Sequence, residues 1–375
     1  MRILYYIYSL PVGGAETIVA EYLRQLRQRG AQVLLVQDYR TESFLTRSLE
    51  EQSIPMVTLW PGSGESKLGQ TAKKAARGVG LYRKFNKSIR EFQPDVIHFH
   101  AFPDHMDRLD FPRSRMFYSL HAALERNLSM LGQKNTALLQ SLSDDGLTFC
   151  GLTADYAKEI GARFHTDRVL CIPNGLDFDR IRSQRYSREE LRSLFGIPEN
   201  AFLLGTVGRL HPVKNQERML SILREVQKSR PDARLLIVGA DQAGRADLLR
   251  RQAAELGVAD ALVLAGERRD ADAILAAMDC FLMTSHSEAL PLVAIEAQVQ
   301  GVKCVFSDAV PEDVACQDCV RLSLDESDEQ WAEAVLKAPA CSGSPKTLDG
   351  YNVQAIITKL LDIYSGSCGF SRRIP

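Results

Sequence analysis

The chain has 375 residues, a composition ordinary for a globular protein and a formal net charge of -1 at pH 7. This length exceeds the size at which one hydrophobic core usually keeps growing, so two domains are expected. The near-neutral charge gives no general reason to expect a nucleic-acid partner. Residues 1–10 are apolar but contain one basic residue before Pro11, which favours a buried first strand over a signal peptide. No run approaches the roughly 18 apolar residues that span a bilayer, which predicts a soluble or peripheral, cytoplasmic protein.

Short apolar runs alternate with amphipathic stretches in the first half of the chain. This alternation predicts parallel α/β architecture and a doubly wound sheet. The predicted strands are Ile3–Tyr8, Val33–Gln37, Met56–Leu59, Val96–His100, Met116–Leu120, Thr148–Leu152 and Val169–Pro173, and the predicted helices are Glu16–Arg29, Thr71–Phe92 and Asn135–Leu142.

A second set of alternating elements follows Asn174-Gly175. Its predicted strands are Phe202–Gly208, Arg234–Val238, Ala261–Ala265, Cys280–Thr284 and Lys303–Ser307, and its helices are Gln216–Ser229, Ala243–Glu255, Ala271–Met278 and Leu292–Gln300. The prediction is therefore two Rossmann-like domains, residues 1–175 and 176–350, that face each other across a cleft. Residues 351–375 would supply a helix that packs back on the first domain, followed by a frayed tail.

The eight cysteines give one metal-like spacing, Cys316-Gln-Asp-Cys319. A zinc site of this kind needs a second pair of ligands, and no second CxxC or paired histidines follow. The sequence therefore favours reduced thiols and no bound metal or other cofactor. Two D-x-D strings, at 177–179 and 270–272, lack the apolar-strand context of a metal-binding motif and are interpreted as chance occurrences.

Two segments of the second half have the chemistry of a nucleotide-sugar site. Glu288 and Glu296 flank the predicted start of a helix, where free backbone N–H groups suit a diphosphate. Carboxylates only accept hydrogen bonds when ionised, so they suit sugar and ribose hydroxyls rather than phosphate. The other segment, GTVGRLHPVKN at 205–215, places the cations Arg209 and Lys214 after a strand that ends at Gly208. Such cations would neutralise a leaving diphosphate.

Together these motifs resemble those of retaining glycosyltransferases of family 4, which have the GT-B fold. The resemblance covers nearly the whole chain and includes the segments Gly13–Glu16, Asp95–His100 and Ile172–Asp177. It is greatest to bacterial enzymes that build capsule, exopolysaccharide or related surface glycans. This chain has Glu288-Ala-Leu-Pro-Leu-Val293 where the commoner family pattern is E-G-F-G-L-V.

The resemblance implies a metal-independent hexosyltransferase whose donor is a nucleoside diphosphate sugar, with UDP-sugars favoured, and whose acceptor is a glycan or lipid-linked sugar. It implies that Arg209 and Lys214 bind the diphosphate, Glu296 the ribose and Glu288 the transferred sugar. The donor-binding residues it implies are Gly13, Gly14, Gly208, Arg209, Lys214, Glu288, Leu290, Leu292, Val293 and Glu296.

In the first domain, His121 ends a predicted strand at the position where family members carry a histidine near the transferred sugar. The expected catalytic set is therefore His121, Arg209, Lys214 and Glu288. His98 and His100 end another strand and are expected to line the site wall. A solvated or core role for a lone histidine is the alternative.

Eight basic residues and no acidic residue lie between Lys67 and Arg90. Interleaved apolar residues make this stretch amphipathic, so it could contact anionic lipid at the inner face of the plasma membrane. A solvated helix face is the alternative.

Two other functions share this fold. A sugar-nucleotide 2-epimerase would turn over UDP-GlcNAc without an acceptor. A non-catalytic glycosyltransferase-like partner would gain no thermal stability from any donor.

Overall fold

The computed structural model describes residues 1–11, 13–60, 70–103, 106–183, 186–241, 244–268, 270–288, 290–342 and 346–367, with the backbone alone for 70–79 and 346–347. These residues form two compact units. One comprises Met1–Gly175 together with the C-terminal helix, and the other comprises Leu176–Asn352. The second unit thus ends two residues beyond the expected position 350.

The first unit contains a seven-stranded parallel sheet in the order β3-β2-β1-β4-β5-β6-β7. Its strands are β1 Arg2–Ile7, β2 Gln32–Tyr39, β3 Met56–Trp60, β4 Val96–Phe99, β5 Met116–Ser119, β6 Thr148–Gly151 and β7 Val169–Cys171. Its helices are α1 Gly14–Gln28, α2 Phe44–Glu51, α3 Gln70–Phe92, α4 Leu124–Asp144 and α5 Ala154–Phe164, and α4 is kinked at Gly132.

The central strands of this sheet are mostly apolar and buried because helices cover both faces of a parallel sheet. In β1, every residue from Ile3 to Ile7 is buried. Ile3 pairs with Val33 of β2 on one side and with Val96 of β4 on the other. The chain order of the strands therefore reverses between β1 and β4.

The second unit contains a six-stranded parallel sheet in the order β10-β9-β8-β11-β12-β13. Its strands are β8 Leu203–Val207, β9 Arg234–Val238, β10 Leu262–Gly266, β11 Cys280–Met283, β12 Lys303–Ser307 and β13 Val320–Leu322. Its helices are α6 Phe178–Arg182, α7 Arg188–Leu194, α8 Gln216–Gln227, α9 Arg245–Glu255, α10 Ala271–Ile274, α11 Leu292–Val299 and α12 Asp328–Lys337. Here the order reverses between β8 and β11. Both units therefore have the doubly wound topology that the sequence predicts.

The C-terminal helix α13, Val353–Ser365, packs on the first unit. Its buried face carries Ile356, Ile357 and Leu360. Lys359 Nζ donates to the Cys171 carbonyl at 2.7 Å, and Arg29 Nη2 donates to the Gln354 carbonyl at 2.8 Å. A Cβ at Gly175 would lie 3.0 Å from Val353 Cα, so a glycine permits the close approach of α13 there.

Helix α3 contains most of the basic stretch, although Lys67 and the side chains of 70–79 lie outside the described residues. In its described part, the apolar residues Leu81 and Phe85 are buried in the core of the first unit. Lys84 Nζ donates to the Thr58 carbonyl at 2.6 Å. This part of the apolar face therefore packs on the protein's own sheet. Among the described residues, no helix combines the length and the apolar character needed to span a bilayer.

Candidate functional site

The candidate residues of both units follow the carboxyl ends of strands that lie at or next to a reversal of strand order. In the second unit, Gly208 and Arg209 follow β8, and Glu288 lies in the loop after β11. In the first unit, Gly13 and Gly14 lie in the β1–α1 connection, and His121 follows β5. Ligands of open parallel sheets bind at such positions.

The loop from Arg209 to Gln216 holds the two candidate cations. Pro212–Lys214 form a short 3₁₀ turn, and Asn215 adopts a left-handed conformation with φ of 51° before α8 begins. The buried Gln216 donates through Nε2 to the Arg209 carbonyl at 2.9 Å, which closes the loop on itself. The Arg209 side chain is exposed and makes no ion pair within the part of the chain that the structure describes. It is therefore available to a phosphate.

Lys214 and Glu288 form an ion pair between two neighbouring strands of the sheet. Lys214 Nζ lies 2.6 Å from Glu288 Oε1, with 23% of the lysine and 9% of the glutamate side chain exposed. The β11 exit loop is fixed to the same turn, since Thr284 Oγ1 donates to the Asn215 carbonyl at 2.8 Å. The His286 N–H donates to the Val213 carbonyl, also at 2.8 Å. A lysine and a carboxylate predicted to serve different ends of the donor are thus held in direct contact.

Glu296 lies in the second turn of α11 and is half-buried, with the hydrophobic residues Ala294, Ile295 and Ala297 around it in sequence. Burial raises the pKa of Glu296 to about 7. The negative charge of Asp272 raises the pKa further, and the positive charge of Arg180 lowers it. A carboxyl group of this kind is part-protonated at neutral pH and gains from any ligand hydroxyl that stabilises its charged form.

A cavity of about 500 Å³ lies one helical turn beyond Glu296. It is lined by residues that include Arg180, Asp272 and Gln300. Its volume lies within the range of pockets that hold small ligands. Arg180 Nη1 is 2.5 Å from Asp272 Oδ2, and Arg268 Nη2 is 2.7 Å from Asp270 Oδ2. Both carboxylates of the second D-x-D string are therefore already paired with arginines.

Helix α11 begins beside Glu288 with no side chain capping its first turn. Pro291 occupies the N-cap position, and the Leu290, Leu292 and Val293 side chains pack against the core of the second unit. The first N–H groups of a helix have no intrahelical acceptor and carry the positive end of its dipole. Leu290, Leu292 and Val293 can therefore make their predicted contacts with the donor only through their backbone groups. Ala289 lies outside the described residues.

Gly239 is a structural requirement of this edge that the sequence did not single out. It follows β9 with φ of 156°, and a Cβ there would lie 2.0 Å from the Gly208 carbonyl oxygen. The Gly208 N–H donates to the Val238 carbonyl at 2.8 Å. The two backbones approach so closely that Gly239 sets the position of the loop that carries Arg209. Its signal in the sequence was a glycine directly after an apolar strand.

Three histidines meet at the carboxyl edge of the first sheet. The rings of His98 and His100 stack at 4.4 Å, and those of His100 and His121 stack at 5.2 Å. His98 Nε2 lies 2.8 Å from Ser119 Oγ and Nδ1 contacts the Tyr364 hydroxyl, so both ring nitrogens of His98 have partners. His98 is therefore a satisfied core residue.

His100 and His121 are hydrogen-bonded to each other and each retains one unpartnered nitrogen. His100 Nδ1 lies 2.9 Å from His121 Nε2. His100 Nε2 and His121 Nδ1 are buried and have no partner among the described residues. Burial lowers the pKa of His121 to about 4, and burial together with the neighbouring His98 and His121 lowers the pKa of His100 well below its usual value. At neutral pH both rings are uncharged and each can still accept or donate one hydrogen bond.

The Gly13-Gly14 pair forms the start of α1. Gly13 is the N-cap residue with extended backbone and no side-chain cap, and a Cβ at Gly14 would meet nothing within 4 Å. A Cβ at Gly13 would meet only the end of the Glu16 side chain, at 2.3 Å. Burial raises the pKa of Glu16, which is half-buried beside this turn. The pair exposes backbone at a helix N-terminus.

Two family models match the chain and together leave few residues uncovered. "Glycosyltransferase Family 4" matches residues 12–180, and "Glycosyl transferases group 1" matches residues 187–351. These ranges contain all the candidate residues described above.

Relatives and solved structures extend this likeness over the whole chain. The putative glycosyltransferase EpsF of Bacillus subtilis strain 168 is 25% identical over 97% of this chain and 96% of its own length. A UDP-Gal:alpha-D-GlcNAc-diphosphoundecaprenol alpha-1,3-galactosyltransferase of Escherichia coli is 26% identical over 52% of this chain and 54% of its own. The crystal structure of Anabaena HepE in complex with UDP and glucose has a TM-score of 0.72 and 21% identity, and the match covers 98% of this chain and 100% of that chain. WaaG, described as a glycosyltransferase of lipopolysaccharide biosynthesis, has a TM-score of 0.67, 19% identity and coverage of 97% and 100%. The GT-B fold class predicted from the sequence is confirmed.

Proposed function

The chain belongs to the family 4 glycosyltransferases, and from that premise we propose that it is a retaining hexosyltransferase that uses a UDP-sugar. The acceptor is a hydroxyl of a glycan or lipid-linked sugar in bacterial surface polysaccharide or glycolipid synthesis. The UDP bound in HepE and the UDP-Gal donor of the Escherichia coli galactosyltransferase support this choice of donor, and the diphosphoundecaprenol-linked acceptor of the latter supports a lipid-linked acceptor. Transfer of a sugar from a nucleotide sugar is common to the family. What we propose for this chain is the UDP-sugar donor and retention of configuration at the anomeric carbon.

The observation that carries the proposal is the Lys214–Glu288 pair at the start of α11. Lys214 has three N–H donors, so one can hold Glu288 while the others meet a phosphate oxygen. Glu288 keeps lone pairs for a hydroxyl of the transferred sugar. The pair therefore sets the distance between the phosphate and the sugar subsites before the donor arrives, which is preorganisation.

The leaving diphosphate is stabilised by fixed positive charge. Arg209 supplies a guanidinium free for two parallel hydrogen bonds, Lys214 a point charge, and the first turn of α11 its N–H groups. Groups that are placed before the reaction cost no reorganisation when charge develops on the leaving oxygen. The transfer itself then needs no metal at this position.

Glu296 binds the ribose hydroxyls of the donor. Its carboxyl is part-protonated in the free protein because burial raises its pKa to about 7. Two hydroxyl donors would favour the charged form and lower that pKa in the complex. His121 contacts the transferred sugar as a neutral ring through Nδ1, which lacks a partner in the free protein.

Membrane contact through residues 67–90 also remains a proposal, and binding to anionic vesicles at low salt tests it.

Turnover of UDP-, GDP- and ADP-sugars tests the function, with the anomeric configuration of the product read by NMR. Release of UDP with retained configuration, unchanged by added Mg²⁺ or Mn²⁺, is the expected result. Conversion of UDP-GlcNAc to its 2-epimer without acceptor would instead identify an epimerase. Failure of every donor to bind would identify a non-catalytic partner protein.

A further inference from the structure

Four cysteines from three separate segments of the chain meet in the second unit. Cys304 belongs to β12, Cys316 and Cys319 lie between β12 and β13, and Cys341 follows α12. The sulfur atoms of Cys304, Cys319 and Cys341 all lie within 4.8 Å of one another. Cys316 Sγ is 3.5 Å from Cys319 Sγ and 3.9 Å from Cys341 Sγ.

These distances cover five of the six sulfur pairs, and they are close to those around one tetrahedral ion. With Zn–S bonds of about 2.3 Å, neighbouring sulfurs of a tetrahedral site lie about 3.8 Å apart. The distance from Cys319 to Cys341 is 3.9 Å. A disulfide requires about 2.05 Å between sulfurs, and all four residues are free thiols. An iron–sulfur cluster would hold its cysteines further apart, because several metal and sulfide atoms lie between them.

The surroundings are those of a structural site. Cys304, Cys316 and Cys341 are 0%, 3% and 6% exposed, and Cys319 is half-buried. The Cys319 N–H donates to the Cys316 carbonyl at 3.0 Å, so a tight turn presents both thiols of the CxxC segment to the same side. Among the described residues, the thiols of this group are hydrogen-bonded to each other or to backbone, and their other neighbours belong to the apolar core of the unit, so no open ligand position is needed. A closed set of four cysteines is the structural type of zinc site.

We propose that Cys304, Cys316, Cys319 and Cys341 bind one Zn²⁺ ion as thiolates. The four thiol protons pass to solvent as the ion binds, and no electrons are transferred. The ion joins β12, the loop before β13 and the segment after α12, which also pack together in the hydrophobic core of the unit. In the sequence this set is not apparent, because the second pair of ligands is divided between Cys304 and Cys341, on either side of the CxxC segment.

The bound ion would also fix the C-terminal end of α11. The fully buried Gln298 of α11 accepts from the Cys316 N–H at 2.7 Å and donates to the Val314 carbonyl at 2.9 Å. The loop that carries two of the four ligands is therefore hydrogen-bonded to α11. Cys304 lies near the amino end of β12, whereas the donor residues follow carboxyl ends, so the ion takes no part in the transfer.

Metal analysis of the full chain, purified without chelator or affinity metal, tests the proposal. Native mass spectrometry and elemental analysis should find about one zinc ion per chain, and Co²⁺ should replace it with the visible absorption of a tetrahedral thiolate site. Cys304→Ala and Cys319→Ala should lose the ion. Cys280→Ala is the matched control, because Cys280 is equally buried on the neighbouring strand and should keep it. Removing the ion should lower the Tm of the wild type by roughly 5–10 °C and leave that of Cys304→Ala unchanged.

The mass of the native wild-type protein decides the question even where a variant fails to fold. Metal-free protein with all four thiols reactive would overturn the proposal. A Cys316–Cys319 disulfide in the native protein would overturn it as well. Neither result bears on nucleotide-sugar transfer, since the ion is assigned no role in that reaction.

Discussion

Replacing Lys214 by methionine tests whether the ion pair of the donor site also stabilises the second unit. The substitution keeps most of the side-chain volume but leaves Glu288, with 9% of its side chain exposed, without its cation. Removing one partner of a fully buried pair costs about 3–5 kcal/mol, whereas an exposed pair contributes about 0–1 kcal/mol. Lys214 is itself 23% exposed, so an intermediate loss of about 2 kcal/mol in the free energy of unfolding is expected.

This loss should appear as a fall in Tm of roughly 4–8 °C for a unit of this size. Differential scanning calorimetry measures it, and Lys337→Met is the matched control because the Lys337–Glu333 pair is exposed on both sides. The double variant Lys214→Met/Glu288→Gln should recover much of the loss, since it removes the stranded charge. Equal melting temperatures for Lys214→Met and Lys337→Met would show that the Lys214–Glu288 pair does not stabilise the second unit.

Three further predictions concern single residues. Burial raises the pKa of Glu296 from 4.5 to about 7, so the folded protein binds the carboxyl proton more tightly than the unfolded chain does. The free energy of unfolding therefore falls as the pH rises from about 4.5 to about 7. Glu296→Gln should therefore be more stable than the wild type near pH 8, on the order of 2 kcal/mol by denaturant titration, with no difference near pH 4; a constant difference would contradict the assignment. His121→Ala should lower kcat by about 10- to 100-fold through loss of one hydrogen bond to the substrate. Burial lowers the pKa of His121 to about 4, so the pH profile of the wild-type rate should show no inflection from this ring between pH 6 and 8. Gly239→Ala should lower Tm much more than Gly244→Ala does. Both glycines have positive φ, but only a Cβ at Gly239 would meet backbone, 2.0 Å from the Gly208 carbonyl oxygen. Similar melting temperatures of the two variants would show that the loops after β8 and β9 can separate.

The strands could be predicted because each is a short apolar run between breakers, and β9 and β12 were predicted to the residue. The helices missed were α2, α5, α6, α7 and α12. Several of them begin at capping residues such as Ser43, Thr153 and Ser187 and are only five to eleven residues long. Their amphipathic pattern covers too few turns to be distinguished from a loop by periodicity alone. Strand β13, Val320–Leu322, was missed because its central residue is Arg321, so it contains no continuous apolar run.

The candidate site was predictable to the extent that strand ends specify it. The rule that parallel strands end at one edge placed Gly208, Arg209 and Glu288 together without any structure. The contact between Lys214 and Glu288 was not predictable, because 74 residues separate them and only the adjacency of β8 and β11 brings them together. The pairing of His100 with His121 depends on β4 and β5 in the same way.

Isothermal titration calorimetry of the full chain with UDP and UDP-sugars tests whether this site binds a nucleoside diphosphate sugar through Glu296. The wild type should bind, Glu296→Ala should bind about 10- to 100-fold more weakly, and Glu333→Ala, whose side chain is exposed on α12, should bind like the wild type. Equal affinities of Glu296→Ala and the wild type, or no binding of any nucleoside diphosphate sugar, would contradict the account of this site.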